Sequence, residues 1–143
     1  MVAGVRDMNE YLFVYGTLLG GAPDLEVNRV VRSHCRDAGA ASVAGRLYRF
    51  GWYPGLVPDR EDPPRRVSGR LLRIKTPERC WPVLDAYEGY RPGTPDRSAF
   101  IRQRIVVRRE PEGEALEAWV YIYNGTMGAG SPIESWPPRR KPG

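Results

Sequence analysis

The chain has 143 residues and a net charge of +5, with 22 basic residues, 20 of them arginine, against 17 acidic ones. Its length and its 41% hydrophobic content are typical of one globular domain, which we expect to span residues 1–143 with looser tails at 1–9 and about 125–143. Because no apolar run approaches the ~20 residues of a membrane span and no signal-peptide pattern is present, we expect a cytoplasmic protein without a membrane partner.

The first predicted element is a short buried strand that ends in a glycine-containing loop. Leu12, Phe13 and Val14 form an apolar, β-prone run, and Tyr15–Leu18 then turns the chain. Because Gly16 has no Cβ, the main chain can approach a ligand closely, and successive N–H groups of such a turn can form a nest for a carboxylate. The loop is neither a P-loop nor a dinucleotide-binding fingerprint, since the required glycine and lysine spacings are absent.

The next predicted element is a helix from Asp24 to Gly39, because Val27, Val30 and Val31 recur at helical spacing. The elements that follow it are a strand over Ser42–Phe50, a turn centred on Pro54 and Gly55, an exposed loop over Arg60–Arg66, and a strand over Val67–Ile74.

A second helix is predicted to begin after Thr76 and to end at Gly89. Thr76 is a suitable N-cap, proline is favoured at the following position, and glycine is typical just after a helix. Pro82 removes one backbone donor, so we expect it to kink or split this helix. The apolar stripe of the helix consists of Cys80, Val83, Leu84 and Tyr87.

The C-terminal half of the chain is predicted to be mainly β. A polar loop over Tyr90–Ala99 precedes two alternating strands, Ile101–Val107 and Leu116–Ile122, which the segment EPEGEA joins as a hairpin. The sum is about six strands and two short helices. The predicted fold class is therefore α+β, with a mixed, largely antiparallel sheet that curls into a small barrel and carries two or more short helices.

The few histidine and cysteine side chains narrow the possible chemistry. His34 is the single histidine, and it lies in a predicted helix with an apolar stripe, where we expect a partly buried packing role. Cys35 and Cys80 do not form the C-x-x-C pair that is typical of zinc and redox motifs. We therefore expect no metal site, no cofactor and no Ser-His-Asp triad.

Glu88 is the candidate catalytic residue. It lies where the second helix ends, next to the buried side of Tyr87 and beside Gly89. A carboxyl group partly removed from water has a raised pKa, which suits it to general acid–base catalysis near neutral pH. The competing interpretation is a solvated glutamate at a helix end. Asp85, about one turn earlier, is the competing carboxylate and is expected to face solvent.

Five segments resemble the γ-glutamylcyclotransferase-like superfamily, in its AIG2-like and γ-glutamylamine cyclotransferase branch. They are VYGTLLGG, YPGLV, LDAYEGY, FIRQRIVV and AWVYIYNG, and the resemblance spans about Tyr11 to Tyr123. PIESW near the end is similar to the family's closing segment. The resemblance implies a small mixed barrel with a pocket at one end. It also implies the formation of 5-oxoproline and a free amine from a γ-glutamyl amine or amino acid, without a cofactor.

The resemblance also implies roles for individual residues. The family's catalytic glutamate corresponds to Glu88. Phe100 stands where the family strand usually opens with tyrosine, so the phenol oxygen is missing. The residues expected to bind the small-molecule γ-glutamyl substrate are Tyr15, Gly16, Thr17 and Leu18 for the head group, with Pro54, Gly55 and Phe100 elsewhere in the pocket.

Two other functions stay open at this stage. A non-catalytic small-molecule binding module on the same fold is favoured by the missing tyrosine at Phe100. A nucleic-acid-binding protein is favoured by the basic charge, but the arginines are scattered, Arg139–Lys141 is one small cluster, and no RNA-binding signature is present. We rank the cyclotransferase first and the nucleic-acid binder last. The oligomeric state is not predicted.

Overall fold

The computed structural model describes residues 10–15, 25–50, 53–125 and 130–133. Within them lie eight strands, two α-helices and one short 3₁₀ helix, and neither α-helix is long and apolar enough to cross a membrane. In chain order the elements are β1 (Glu10–Val14), α1 (Leu25–His34), β2 (Cys35–Ala44), β3 (Arg46–Phe50), β4 (Tyr53–Val57), β5 (Arg66–Ile74), α2 (Pro77–Glu88), the 3₁₀ helix (Pro95–Arg97), β6 (Phe100–Arg109), β7 (Ala115–Tyr123) and β8 (Ser131–Ile133).

Five of the strands close into a barrel. Their hydrogen-bonded order is β1-β5-β2-β6-β7, and a parallel pairing between Leu12 and Trp119 joins β7 back to β1. The remaining neighbours within the barrel are antiparallel. Strands β4, β3 and β8 extend the sheet from β7, beginning with a parallel pairing between Leu56 and Ile122. This architecture confirms the predicted α+β class with a mixed, largely antiparallel sheet.

Two apolar clusters lie on opposite faces of the sheet, as the alternation along the strands requires. In β1, Leu12 and Val14 belong to the cluster that includes the helices, whereas Phe13 and the following Tyr15 belong to the other cluster. The helix-side cluster contains Val27 of α1 and the α2 residues Cys80 and Leu84. The helices therefore pack against one face of the barrel sheet, and α2 is fixed there by its apolar stripe.

Helix α2 ends where the sequence predicts. Gly89 takes the left-handed conformation, with φ 72° and ψ 28°. Its N–H donates to the carbonyl oxygen of Ala86, and the N–H of Tyr90 donates to that of Asp85, which is the Schellman arrangement. Pro82 was predicted to kink or split the helix; the split is wrong, because α2 runs without a break from Pro77 to Glu88. The helix end thus places Glu88 at a defined position beside the sheet.

The predicted boundary between the first helix and the following strand is also wrong. Helix α1 ends at His34 rather than at Gly39, because β2 already begins at Cys35 and pairs with β5. Gly39 lies inside β2 with φ 100°, where the register shifts between Asp37 and Ala40. This is a β-bulge, and glycine suits its positive φ.

The turn predicted at Pro54 and Gly55 is a strand. Both residues belong to β4, which pairs with β3, so that Gly55 lies opposite Tyr48. A Cβ at Gly55 would lie 2.6 Å from Cε2 of Phe50, so the glycine is needed for close packing rather than for a turn. In addition, part of the predicted C-terminal tail forms β8, which pairs with β3. The predicted leader, residues 1–9, lies outside the described residues.

Candidate active site

A cavity of about 460 Å³ opens where the end of α2 meets β1, β4, β6 and β7. Four of the residues that the sequence analysis assigned to the site line this cavity: Tyr15, Pro54, Glu88 and Phe100. Gly55 lies behind the wall and does not line it, while Gly16, Thr17 and Leu18 lie outside the described residues. The aromatic lining residues that the sequence analysis did not identify are Phe13, Tyr53, Tyr87 and Tyr121.

Glu88 is the charged side chain among the described residues that line the cavity. It is partly buried at the last position of α2, and the surrounding protein displaces much of its hydration. This loss of solvent raises the pKa of Glu88 to about 7, from an ordinary value near 4.5. Both the protonated and the charged form are therefore present near neutral pH, so that Glu88 can accept and donate a proton.

Tyr15 is fixed by the main chain of two neighbouring strands. Its hydroxyl donates a hydrogen bond to the carbonyl oxygen of Tyr121 at 2.6 Å and accepts one from the N–H of Leu56 at 3.1 Å. Burial raises the pKa of the Tyr15 phenol, and the charge of Glu88 raises it further, so the phenol stays neutral. Tyr15 therefore anchors the point at which the chain leaves β1 for the glycine-containing loop.

Asp85 does not face solvent, contrary to the prediction. It is 7% exposed and accepts two hydrogen bonds from the guanidinium group of Arg102, at 2.8 and 3.2 Å. The hydroxyl of Tyr121 donates to the same carboxylate at 2.7 Å. The charge of Asp85 is thus compensated by a bidentate ion pair, the arrangement that makes a buried carboxylate tolerable.

Arg102 contacts aromatic rings in addition to Asp85. Its guanidinium carbon lies 4.1 Å from the ring centre of Trp81 and 4.6 Å from that of Trp119, so the group contacts two indoles that meet edge-on. In the sequence this arginine is part of the segment FIRQRIVV, and it was not among the predicted site residues. Arg102 lies on the same face of the strand as the buried Phe100, but no local pattern indicated that Asp85 would pair with it.

The Asp85 ion pair reaches the cavity through Tyr121. Tyr121 lines the cavity, and its hydroxyl donates the hydrogen bond to Asp85. Burial, followed by the neighbouring charge of Asp85, raises the pKa of Tyr121, so this phenol also remains a hydrogen-bond donor. Through this hydrogen bond the ion pair of Asp85 and Arg102 is connected to a residue of the cavity wall.

The opposite wall of the cavity consists of packed aromatic rings. The ring of Phe100 meets those of Tyr53 and Tyr123 edge-on, with centres 6.0 and 5.7 Å apart. Behind them, Phe50 stacks on Tyr123 with ring centres 3.7 Å apart. Gly55 permits this stack, since a Cβ there would contact both Phe50 and Tyr123.

The model of one protein family, described as "Gamma-glutamyl cyclotransferase, AIG2-like", matches residues 12–138. The chain belongs to this family. The match covers most of the sequence and includes the strand that carries Tyr15, the helix that carries Glu88 and the β6–β7 hairpin. It confirms the resemblance found in the sequence motifs. Family membership supports a cyclotransferase-type function that acts on small γ-glutamyl substrates.

Solved structures share the fold of this AIG2-like chain. An AIG2-like protein from Mus musculus superposes with a TM-score of 0.67 at 20% identity, covering 90% of this chain and 88% of the mouse chain. YkqA from Bacillus subtilis superposes with a TM-score of 0.57 at 26% identity, covering 83% of this chain and 37% of YkqA. PH0828 from Pyrococcus horikoshii superposes with a TM-score of 0.57 at 16% identity, covering 87% of this chain and 86% of PH0828. No curated protein matches the chain in sequence.

Proposed function

We propose that the protein is a γ-glutamyl cyclotransferase that converts a γ-glutamyl amine or amino acid into 5-oxoproline and the free amine. The observation that carries this proposal is the carboxyl group of Glu88, which faces the cavity with its pKa raised to about 7. A carboxyl group of this kind suits a reaction in which one proton must be removed from one nitrogen and delivered to another.

The reaction is an internal transfer of an acyl group. The free α-amine of the γ-glutamyl group attacks its own γ-carbonyl carbon, and the new carbon–nitrogen bond closes a five-membered ring. The bond from that carbon to the leaving nitrogen then breaks. Glu88 takes a proton from the attacking amine and passes it to the leaving amine, so that atoms and charge balance without water or a cofactor. Because both reacting groups belong to one molecule, the protein need only hold the substrate bent.

The other site residues would hold the substrate in this bent form. We propose that main-chain N–H groups of Gly16, Thr17 and Leu18 bind the α-carboxylate or the developing oxyanion. Tyr15 cannot donate its hydroxyl to the substrate while that hydroxyl binds the main chain, so its role is to fix the start of this loop. Pro54 and Phe100 would contact the substrate directly, whereas Gly55 would act by allowing the aromatic wall to form.

A screen of γ-glutamyl amides, with detection of both 5-oxoproline and the released amine, tests the proposal. The expected result is equimolar formation of the two products by the protein after treatment with EDTA and gel filtration. Restoration of activity by added zinc or magnesium would contradict a mechanism that depends on Glu88 alone.

A non-catalytic binding module is the second candidate function. It is supported by Phe100, which is 6% exposed and brings no hydroxyl group to the cavity where the family usually has a tyrosine. The same screen separates the two functions when binding is measured in parallel by calorimetry. Binding of γ-glutamyl amides without any 5-oxoproline would favour the binding module and contradict the enzyme.

A further inference from the structure

The two cysteines of the chain are distant in sequence but lie side by side in the fold. Cys35 is the first residue of β2, and Cys80 lies near the start of α2. Their Sγ atoms are 3.8 Å apart and share a hydrogen bond. Because the sequence contains only these two cysteines, each thiol has the other as its single possible disulfide partner within the chain.

The main chain around the two thiols is held in place by hydrogen bonds. The N–H of Lys75 donates to the carbonyl oxygen of His34 at 2.8 Å, and Cys35 lies opposite Ile74 in the pairing of β2 with β5. These contacts fix the start of β2 beside the start of α2. Because the sulfurs are 3.8 Å apart and a disulfide bond is about 2.05 Å long, each sulfur needs to move by less than about 1 Å to form one.

The surroundings of the pair favour reaction with a small oxidant. The hydrogen bond between the thiols raises the pKa of Cys35 and lowers the pKa of Cys80, so the pair releases its first proton from Cys80. The positive end of the α2 helix dipole also stabilises a thiolate near the start of that helix. Cys35 is 8% exposed, whereas Cys80 is fully buried. An oxidant must therefore be nearly as small as water to reach the sulfurs.

We propose that Cys35 and Cys80 form a site of reversible oxidation, at which hydrogen peroxide converts the two thiols into a disulfide. One sulfur takes an oxygen atom from the peroxide to become a sulfenic acid, and a molecule of water is released. The second sulfur then attacks the first, and a second molecule of water leaves as the S–S bond forms. In total the thiols lose two electrons and two protons, and the peroxide is reduced to two molecules of water.

The disulfide joins α2 covalently to the barrel. It links positions that are 45 residues apart, which restricts the unfolded chain and so stabilises the folded one. Neither cysteine lines the cavity, and Glu88 lies about two turns, or 12 Å, further along α2 than Cys80. We therefore expect oxidation to stabilise the protein against unfolding. The oxidation does not depend on the proposed cyclotransferase function.

Mass spectrometry and thiol titration of the unchanged protein test the proposal. The protein is reduced, freed of reductant and treated with a small molar excess of hydrogen peroxide, and its thiols are titrated in urea. The monomer should lose the mass of two hydrogen atoms and both thiols, peptide mapping should show Cys35 linked to Cys80, and dithiothreitol should restore both thiols. Two thiols that remain free, oxygen added to a cysteine without a linkage, or a disulfide between two chains would each overturn the proposal.

Thermal unfolding tests the effect of the bond on stability. The oxidised protein should have a Tm about 5–10 °C above that of the reduced protein. Cys35→Ala and Cys80→Ala cannot form the bond, so peroxide should not raise their Tm, and they serve as controls for oxidation of other side chains. The comparison of the two redox forms of the unchanged protein does not require either variant to fold. No rise in Tm once the linkage has formed, or an equal rise in a variant, would overturn the stabilising role.

Discussion

Two carboxylates of the same helix have opposite surroundings. Asp85 and Glu88 lie three residues apart in α2. Asp85 is buried with a bidentate arginine and a tyrosine hydroxyl, whereas Glu88 faces the cavity and its pKa is raised to about 7 by burial. Burial alone therefore does not make a carboxyl group suitable for proton transfer. A carboxylate whose charge is compensated supports the fold, and one whose charge is not compensated is available for chemistry.

The largest effect is expected from Glu88→Gln. The amide keeps the size of the side chain but cannot accept a proton from the attacking amine, so kcat should fall by about 10²–10⁴-fold while KM changes little. Steady-state kinetics with a γ-glutamyl amide measures this. Glu78→Gln, at an exposed position in the first turn of the same helix, is the control and should keep its activity. Full activity of Glu88→Gln would contradict the assigned role.

Asp85→Asn should lower stability rather than remove a catalytic group. It leaves the guanidinium group of Arg102 buried without its anion, so the free energy of unfolding should fall by about 3–5 kcal/mol. Urea unfolding followed by circular dichroism gives the value. Glu117→Gln is the matched control, since its ion pair with Arg104 is exposed and 3.7 Å long, and its removal should cost less than about 1 kcal/mol. Similar losses for the two variants would contradict this prediction, because the buried Asp85–Arg102 pair would then stabilise the fold no more than the exposed pair.

The pH dependence of stability distinguishes the two carboxylates further. The pKa of Glu88 is higher in the folded protein than in the unfolded chain. Its carboxyl group therefore does not lower the free energy of unfolding below pH ~4.5, and it lowers that free energy by the full amount above pH ~7. We expect Glu88→Gln to unfold with about the same free energy as the unchanged protein at pH 4.5 and with about 2–3 kcal/mol more at pH 8. Unfolding curves across this range would contradict the account if the difference stayed constant.

Tyr121→Phe should have the smallest effect. It removes the hydrogen bond that the phenol donates to Asp85, which should lower the free energy of unfolding by about 1–2 kcal/mol. The pH midpoint of kcat/KM should not move, because burial rather than this hydroxyl raises the pKa of Glu88. A clear shift of the midpoint in the variant would show that the Asp85 cluster tunes Glu88 after all.

The elements that the sequence predicted well are those with local signals. The alternating strands predicted around Ile101–Val107 and Leu116–Ile122 correspond to β6 and β7. Gly89 ends α2 as predicted, because glycine adopts the left-handed conformation there without steric strain. The turn predicted at Pro54 and Gly55 is wrong, because the pairing of β4 with β3 outweighs the turn propensity of these two residues. The end of α1 was missed because β2 follows His34 without an intervening turn.

The site was predictable only where one helix determines it. The position of Glu88 before a helix-ending glycine pointed to a partly buried carboxyl group. The pairing of Asp85 was not predictable, because Arg102 and Tyr121 reach it from strands that are distant in sequence. The aromatic wall has the same origin, since Tyr53 and Phe100 come from β4 and β6. Contacts of this kind depend on how the barrel closes, and a spacing pattern carries no information about that.

The pKa of Glu88 itself tests the account most directly. It can be measured by following the side-chain carboxyl ¹³C resonance of Glu88 as a function of pH, with Glu88→Gln to assign the signal. The account predicts a midpoint near pH 7, raised by burial against the cavity wall. A midpoint near 4.5, the ordinary value, would contradict it, because Glu88 would then be fully charged at neutral pH and unable to deliver a proton efficiently to the leaving amine.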